Sequence, residues 1–468
     1  MRFIPRCLSL FAACALLAGC YSYKPPPEIV DGGHFTTRTR AEQRGLPIGL
    51  GELSLDAAID IALANNPSYA VTRHSMAAAY ARFYQSLSTF LPTVSGNLNG
   101  TQYQYIPQNQ GGMGGDTRWQ PTYGATLSGQ WIVFNGLMDT MNMLSARYSA
   151  KQSASLNRDA RRLLVQSIIL TYNQVLLNRS QMRIAEADEM FEQQMVDDTQ
   201  LKYDSGAAAL SDLLNFKILT NNATDAVITS RLSYDTYRFM LAELMGLTTG
   251  EIPDDVRFPE LELGNVEDLS LSVEFHLDMA LAQRPDLQSM REALAASKYN
   301  LYSSWGSFLP NVTLNTNYGF SRTDQLENYP VGSARPRSQD LLYNYGMNIN
   351  WLLFDGGARW AQVRQAQANV AFSEEQLASK WIGVVAEVRQ AHTALAANIA
   401  DARIISDTLE MTKKQRDLVR EEYNAGNTSI TRLNEAQRDL IRAQLNNVSA
   451  LISIQNSKTR LDTACGSR

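Results

Sequence analysis

The side chains that most often hold metals or perform catalysis are few in this sequence and lie far apart. The histidines are His34, His74, His276 and His392. Their spacing matches no metal-binding motif. A methionine-rich run, LMDTMNM, holds Met138, Met141 and Met143. Thioethers bind soft ions such as copper or silver, but they also fill irregular gaps, and we favour packing. Because no spacing assembles a nucleophile, a base or a metal set, we expect no enzyme and no cofactor.

The first twenty residues are typical of a secretion signal. Arg2 and Arg6 precede an apolar run that ends in LAGC, which makes residues 1–19 a predicted signal peptide. LAGC resembles the lipobox of bacterial lipoproteins, which implies that Cys20 is acylated and that residues 20–52 form a lipidated, extended segment. Removal of the two arginines changes the formal charge from −5 to −7. An acidic chain does not favour nucleic acid as a partner.

The rest of the sequence consists of an internal repeat. ALANNP recurs as ALAQRP, FLP as FLP, FNG as FDG and YDSG as YNAG, each time roughly 220 residues later. The first two landmarks share one offset, and the last two share another that is only slightly longer. Landmarks that keep their register over such a distance indicate an internal duplication. We expect repeat 1 at 53–246, an equatorial connection at 247–271 and repeat 2 at 272–468.

Both repeats have the same predicted order: a helix, two antiparallel strands, a very long helix, a glycine turn and a last helix. Ser54 and Ser272 are suitable N-caps for the first helices. The strands are predicted at about 91–107, 119–134, 309–322 and 341–354. The stretch between Leu137 and Ser205 contains neither Gly nor Pro, and a helix of roughly 67 residues is about 100 Å long. It needs parallel partners, which the two shorter helices of the repeat supply when laid end to end.

The strands alternate between apolar and polar residues. In LLYNYGMNINWLLF, the apolar face is Tyr343, Tyr345, Met347 and Ile349. Strands of about 10–14 residues are long enough to cross a bilayer at a tilt. Four strands in a row leave two unpaired edges, which hydrocarbon does not tolerate, so other copies of the chain must close the sheet. The polar faces suit a water-filled lumen, which requires at least three copies.

Two other architectures compete with a membrane barrel. A soluble sandwich would place the aromatic strand faces in a protein core, but the very long helices leave no second sheet to cover those faces. A structural coiled-coil lipoprotein with a helical stalk would have a narrow apolar seam. The stretch 163–177 has broader apolar coverage than such a seam.

The lipobox, the doubled FLP and F(N/D)G landmarks and the two Y-x-x-G turns resemble, in order and spacing, the TolC-like outer-membrane factor family, in its lipoprotein branch. The resemblance implies a mainly helical fold with a membrane β-barrel, in which a homotrimer forms a twelve-stranded barrel in the outer membrane and a twelve-helix tunnel through the periplasm. It also implies a passive exit duct that works with a periplasmic adaptor protein and an inner-membrane pump. Its cargo would be small molecules or the proteins of type I secretion. By analogy within the family, lipidation favours small molecules.

The resemblance places the gate at the glycine turns, which would form the periplasmic mouth. Tyr423 matches a tyrosine of the family's gate network, and Gly426 matches the turn. Arg432 and Glu435 stand where the family often has acids that ring the entrance. Because they lie three residues apart on a helix, they form either a mixed ring between copies or an ordinary pair on an outer face.

Repeat 1 offers counterparts to these gate residues. Asp212 and Asn215 are weaker candidates for the ring. Tyr203 and Gly206 mark the first turn, and Ser211 and Thr431 are positioned to cap the returning helices. The leucines that we expect to contact the adaptor or a neighbouring helix are Leu210, Leu213, Leu214 and Leu433.

Overall fold

The computed structural model describes residues 45–46, 51–105, 118–260, 272–324 and 337–467. The predicted signal peptide, Cys20 and His34 lie outside these residues. Repeat 1 comprises α1 (Leu55–Asn65), α2 (Pro67–Leu87), β1 (Thr93–Tyr105), β2 (Arg118–Asn135), α3 (Met138–Asp204) and α4 (Leu210–Leu244). Repeat 2 comprises α5 (Val273–Gln283), α6 (Pro285–Gly306), β3 (Asn311–Asp324), β4 (Arg337–Asn350), α7 (Ala358–Asn424) and α8 (Ile430–Cys465). The mainly helical, two-repeat fold predicted from the sequence is confirmed.

The first helix of each repeat starts where predicted but is interrupted. The hydroxyls of Ser54 and Ser272 accept hydrogen bonds from the amides three residues later, as N-caps do. Our expectation of a single helix before the strands of each repeat is wrong, because Pro67 and Pro285 each start a second helix. A proline has no amide hydrogen and pushes the residue before it out of the helical conformation. The prolines of the repeated ALANNP and ALAQRP motifs therefore mark breaks.

The helices stand side by side in four columns. α3 and α7, each 67 residues long, form one full column apiece. α2 and α4 both pack on α3, while α6 and α8 pack between α3 and α7. The short helices meet end to end, since Asn66 at the start of α2 donates to the carbonyl of Leu244 at the end of α4 over 2.8 Å. Arg284 makes the equivalent bond to Ala464, joining the start of α6 to the end of α8 over 2.9 Å.

The four described strands form one antiparallel sheet in the order β1-β2-β3-β4. β1 and β4 are therefore its edges. β4 ends at Asn350, so the predicted continuation of this strand to residue 354 is wrong. Asn350 pairs with Asn311, the first residue of β3. The preceding Pro310 has no amide hydrogen with which to extend the ladder.

The apolar faces of the strands are not covered by other parts of the described chain. Tyr345 is 79% exposed, and Tyr343, Met347 and Ile349 are also exposed. A contiguous exposed apolar surface of this kind marks an interface with protein or lipid. The sandwich alternative, which would cover these faces with a protein core, is not what the described residues form. Within those residues, no helix has the length and apolar character that a membrane crossing requires.

Buried charges tie the columns together at mid-height, where the short helices meet. The guanidinium of Arg284 donates to Asp286 over 2.7 Å and to Glu387 over 2.7 Å. Lys380 lies 2.9 Å from the same Asp286 carboxylate. Burial opposes ionisation of Asp286, but hydrogen bonds from Arg284 and Lys380 outweigh it and hold the pKa of Asp286 well below its usual range. The charged form is thus built into the folded state.

Asp286→Asn should destabilise the helical columns by about 3 kcal/mol, because it leaves the buried Arg284 charge without its main partner. The pKa of Asp286 is lowered on folding, so its contribution is present above its unfolded pKa of 3.8 and is lost as the pH falls below that value. Chemical denaturation of the protein in detergent, followed by circular dichroism, measures both effects.

Glu410→Gln is the matched control. Glu410 pairs with Lys414 over 2.6 Å, but both side chains are exposed and solvent screens the pair, so its loss should leave the stability almost unchanged. Equal effects of the two substitutions would mean that the buried network is not what holds the columns together.

Candidate functional site: the helical tips

The two hairpins, α3–α4 and α7–α8, end in matching turns, which we call the tips. Gly206 and Gly426 are left-handed, with φ of 76° and 75°. In each tip the glycine amide and the next amide close back onto the end of the long helix, the hydrogen-bond pattern of a Schellman motif. The glycine turns predicted from YDSG and YNAG are confirmed.

The returning helices start earlier than predicted. Their N-caps are Ala209 and Ser429, neither of which makes a side-chain capping bond. Ser211 and Thr431 lie inside α4 and α8, so the capping role predicted for them is wrong. The amides of residues 212 and 213 already bond to the Ala209 carbonyl. Ala209 is therefore the N-cap, and Leu210 is the first helical residue.

An apolar cluster joins the two hairpins just above the tips. This tip cluster consists of Met195, Phe216, Val419, Leu433 and Ala436. Leu433 is fully buried and Leu213 is 3% exposed. Of the two partners predicted for these leucines, a neighbouring helix therefore fits and an adaptor does not. Leu210 and Leu214 are about half exposed and remain available to a partner.

Tyr423 lies at the centre of a polar network between the hairpins. Its hydroxyl bonds with the Thr199 side chain, and Asp212 acts on it electrostatically. The Lys202 ammonium lies 4.9 Å from the centre of the Tyr423 ring. Burial, followed by the nearby Asp212 charge, raises the pKa of Tyr423. The hydroxyl therefore stays protonated at neutral pH.

Apart from Asp212, the other predicted polar gate residues do not join this network. Arg432 and Glu435 are both exposed. Among the residues that the structure describes, no salt bridge links these two side chains. Tyr203, the repeat 1 counterpart of Tyr423, is also exposed. Asp212 is half-buried, as is Asn215 one turn further along α4.

Further from the tips, two acids of α3, Asp188 and Glu192, face Gln437 and Arg438 of α8. We call this region the seam. The Gln437 amide nitrogen donates to Asp188 over 2.8 Å. Glu192 is 5% exposed, and burial, then the Asp188 charge, raises the pKa of Glu192 to about 7 against the opposing effect of Arg438. Sequence reasoning did not single out these acids.

A signal for the seam and the Tyr423 network was nevertheless present in the sequence. Asp188, Glu192, Met195 and Thr199 recur at helical spacing on α3. They form one stripe, which the structure turns towards the second hairpin.

One of the candidate metal-binding methionines, Met138, lies in a closely packed position. Met138, Met141 and Met143 are half-buried, and a Cβ added to Gly306 would lie 2.7 Å from the Met138 Cγ atom. His276 and His392, which we described as scattered, do meet, with their ring centres 5.5 Å apart. Within the described ranges, no three His, Cys, Asp or Glu residues are grouped so as to hold a metal ion.

Comparison with known proteins identifies relatives along almost the whole chain. The family described as "Outer membrane efflux protein" matches residues 58–247 and 276–467. The pyoverdine export outer membrane protein OpmQ of Pseudomonas putida is 22% identical, over 94% of this chain and 93% of its own length. The alkaline protease secretion protein AprF of Pseudomonas aeruginosa is 24% identical, over 78% of this chain and 74% of its own.

Solved structures show the same fold. The outer membrane channel CmeC of Campylobacter jejuni superposes with a TM-score of 0.74 at 18% identity. The superposition covers 88% of this chain and 85% of CmeC.

Tyr423→Phe should loosen the tips, because it removes the hydroxyl bond to Thr199 and keeps the ring that Lys202 contacts. A lost hydrogen bond of about 1 kcal/mol raises the population of opened tips about fivefold. The rate of trypsin cleavage after Lys202 in the otherwise folded protein measures that population.

Tyr203→Phe is the matched control at the equivalent, exposed position, and its cleavage rate should equal that of the wild type. The pKa of Tyr423 is raised above its usual value of 10, so the stabilisation should be complete below pH 10 and decline above it. Equal cleavage rates for the two variants would contradict a holding role for the Tyr423 hydroxyl.

Proposed function

The chain belongs to the outer membrane efflux protein family, and we propose that three copies of it form the exit duct of a tripartite efflux system. In this proposal Cys20 carries the lipid anchor in the outer membrane, and the helical columns extend into the periplasm. The duct conducts passively and uses no cofactor. An inner-membrane pump, joined through a periplasmic adaptor, supplies the energy.

One comparison within the chain carries this proposal. On α3, Ser155, Arg162 and Asn173 are buried and bond to residues of α6 or α8. The internal repeat, in the register that equates Tyr203 with Tyr423, gives the equivalent positions on α7. These are Glu375, Ile382 and Thr393, and all three are exposed. In the part of the chain that the structure describes, α7 thus lacks the neighbour that α3 has. The α2/α4 column of another copy is the element that matches this open face.

The strands have the same deficit at their outer edges. β1 and β4 each have one partner in the sheet, so their outer backbone groups need a further strand. Pairing β4 of one copy with β1 of the next meets this need and closes a barrel. Three copies, the number that the family resemblance implies, give twelve strands and a lumen rather than a packed interior. The exposed aromatic faces then lie against outer-membrane lipid.

The tips serve as the gate in this proposal. The tip cluster and the Tyr423 network hold the two hairpins of a copy together at the end away from the strands. Opening is a separation of these hairpins, a shift between two packings with no chemical step. Leu210 and Leu214, exposed beside the turn, are the side chains that we assign to adaptor contact.

The cargo class is open to two readings, because the relatives carry names from both. OpmQ is named for pyoverdine export and AprF for alkaline protease secretion. We favour small-molecule export, because the OpmQ match extends over nearly the full length of both proteins. Protein secretion is the second candidate, which the AprF match supports.

Ile382→Glu should prevent assembly, because it puts a charge on the α7 face that another copy covers. Ile382 is 69% exposed in the single chain and occupies the position of the buried Arg162. An unpaired charge buried in an interface costs several kcal/mol, so the assembled fraction should fall by about 100-fold or more. Native mass spectrometry in detergent measures the assembled fraction.

Asp407→Lys is the control on the same helix. Asp407 is exposed, and its repeat 1 equivalent, Ala187, is exposed as well, so neither repeat buries this position. The control should assemble like the wild type. Assembly of the Ile382→Glu variant at wild-type levels would count against the proposed interface.

Deletion of the gene should raise accumulation of a fluorescent efflux dye in cells that lack other outer-membrane channels. Restoring the wild-type gene should lower the accumulation, because the duct gives the pumped dye a route to the exterior. Unchanged accumulation, with the protein confirmed in the outer membrane, would contradict small-molecule export. Loss of a secreted protease from the medium of the same cells would then identify protein secretion.

A further inference from the structure

The seam between α3 and α8 is short of one hydrogen-bond donor. Oε2 of Glu192 and Oε1 of Gln437 are buried acceptor atoms without a hydrogen-bond partner. Both residues are 5% exposed, so bulk water does not supply the missing donor. A buried acceptor without a donor lowers the stability of the folded state, so two of them in the seam require an explanation.

The orientation of the Gln437 amide follows from its neighbour. Its nitrogen donates to Asp188, so its oxygen is the atom that can accept a hydrogen bond from another group. Glu192 lies one turn beyond Asp188 on the same face of α3. Turning the amide round would point its oxygen at Asp188 and strip this carboxylate of its donor. One amide group cannot donate to both carboxylates, so the set is one donor short in either orientation.

We propose that Glu192 binds a proton in the closed state and donates it to the oxygen of Gln437, so that one proton satisfies both orphaned atoms and links α3 to α8. This link makes closure of the tips proton-dependent. The inference rests on the proposed function insofar as the hairpins are the gate. The proton site itself is a property of the seam.

The surrounding charges are compatible with a protonated Glu192. Asp188, one turn away, disfavours a second negative charge, while Arg438 on α8 is the nearby cation that acts against protonation. Two arginines of α7, Arg416 and Arg420, lie over the Phe191 ring, 6.0 and 5.7 Å from its centre. Arg416 pairs with Asp417 over 3.2 Å through a terminal nitrogen, while its buried Nε has no hydrogen-bond partner.

The remaining neighbours are on α4 and α7. On α4, Thr224 donates to Glu189 over 2.6 Å, so this acid already has a partner. The position on α7 equivalent to Glu192 is Thr412, which cannot titrate. Each copy therefore has one such proton site, in repeat 1.

The sign of the pH effect follows from burial. Burial raises the pKa of Glu192 from 4.5 to about 7, and separation of the helices returns the carboxyl to water and to the lower pKa. Closure therefore takes up a proton. The stabilisation is complete below pH 4.5, declines between pH 4.5 and 7, and is absent above that range. Acid keeps the seam closed, and its population of open states rises on the order of 50-fold from pH 5 to pH 8.

The seam adjoins the gate. Glu192 lies about 20 Å from Gly206 along α3. Its neighbours Phe191 and Met195 belong to, or pack on, the tip cluster. A change in the seam therefore acts directly on the packing that holds the hairpins together.

Hydrogen exchange of the full-length protein in detergent at pH 5 and pH 8 tests the proposal, after correction for the intrinsic pH dependence of amide exchange. In the wild type, peptides covering residues 185–200 and 430–440 should exchange on the order of 50-fold faster at pH 8. In Glu192→Gln the side-chain amide donates without titrating, so the same peptides should stay protected at both pH values. Glu189→Gln, a neighbouring acid already bonded to Thr224, should keep the wild-type pH dependence.

A wild type without this pH dependence, or a Glu192→Gln variant that retains it, would overturn the proposal. If Glu192→Gln does not assemble, infrared titration of the wild type decides. A carboxylic acid that loses its proton near pH 7 supports the proposal, and titration of all carboxyls below pH 6 contradicts it. These readouts report on the seam alone, so failure of the dye-export test leaves them valid.

Discussion

A helix as long as α7 needs neighbours on both sides along its whole length, and the described part of its own chain supplies a neighbour on only one side. The same holds for the edge strands β1 and β4, whose outer backbone groups have no partner in the sheet. Both deficits have one origin, the duplication. Among the described residues, repeat 2 covers the open side of repeat 1, but no element covers the open side of repeat 2. The packing of α3 against α6 and α8 is thus a template for the contacts that α7 makes with another copy in the proposed assembly.

Stability and mobility are distributed unevenly along the columns. At mid-height, where short helices meet end to end, Arg284 and Asp286 have well-placed partners, and the strongly bound charges fix the columns. Towards the tips, the contacts between hairpins are a small apolar cluster, a tyrosine hydroxyl and a seam that lacks a donor. Regions that move are drawn from the less stable parts of a structure. A duct that opens at its tips and stays rigid at mid-height is consistent with this distribution.

Features that depend on short-range chemistry were predictable from the sequence. The glycine turns, the N-caps at Ser54 and Ser272 and the alternating strands each follow from local rules, and the duplication follows from landmarks in register. The helix breaks at Pro67 and Pro285 were missed, although the chemistry of proline predicts them. Features that depend on which helix lies beside which were not predictable. Leu213 and Leu433 are buried because the second hairpin covers them, and the roles of Thr199, Lys202 and Glu192 appear only once α7 and α8 are placed against α3.

A disulfide cross-link between neighbouring copies tests most directly whether the open edges are closed by other copies. Within the chain, Ser128 of β2 pairs with Asn317 of β3. The internal repeat equates Ser128 with Asn348 of β4 and Asn317 with Asn99 of β1, so the same register places Asn348 opposite Asn99 of the next copy. In the double variant Asn99→Cys and Asn348→Cys, oxidation should yield a covalent species with the mass of three chains, and each single variant should not. A double variant that stays monomeric after oxidation while still assembled, or that stops at two chains, would contradict the closed three-copy duct.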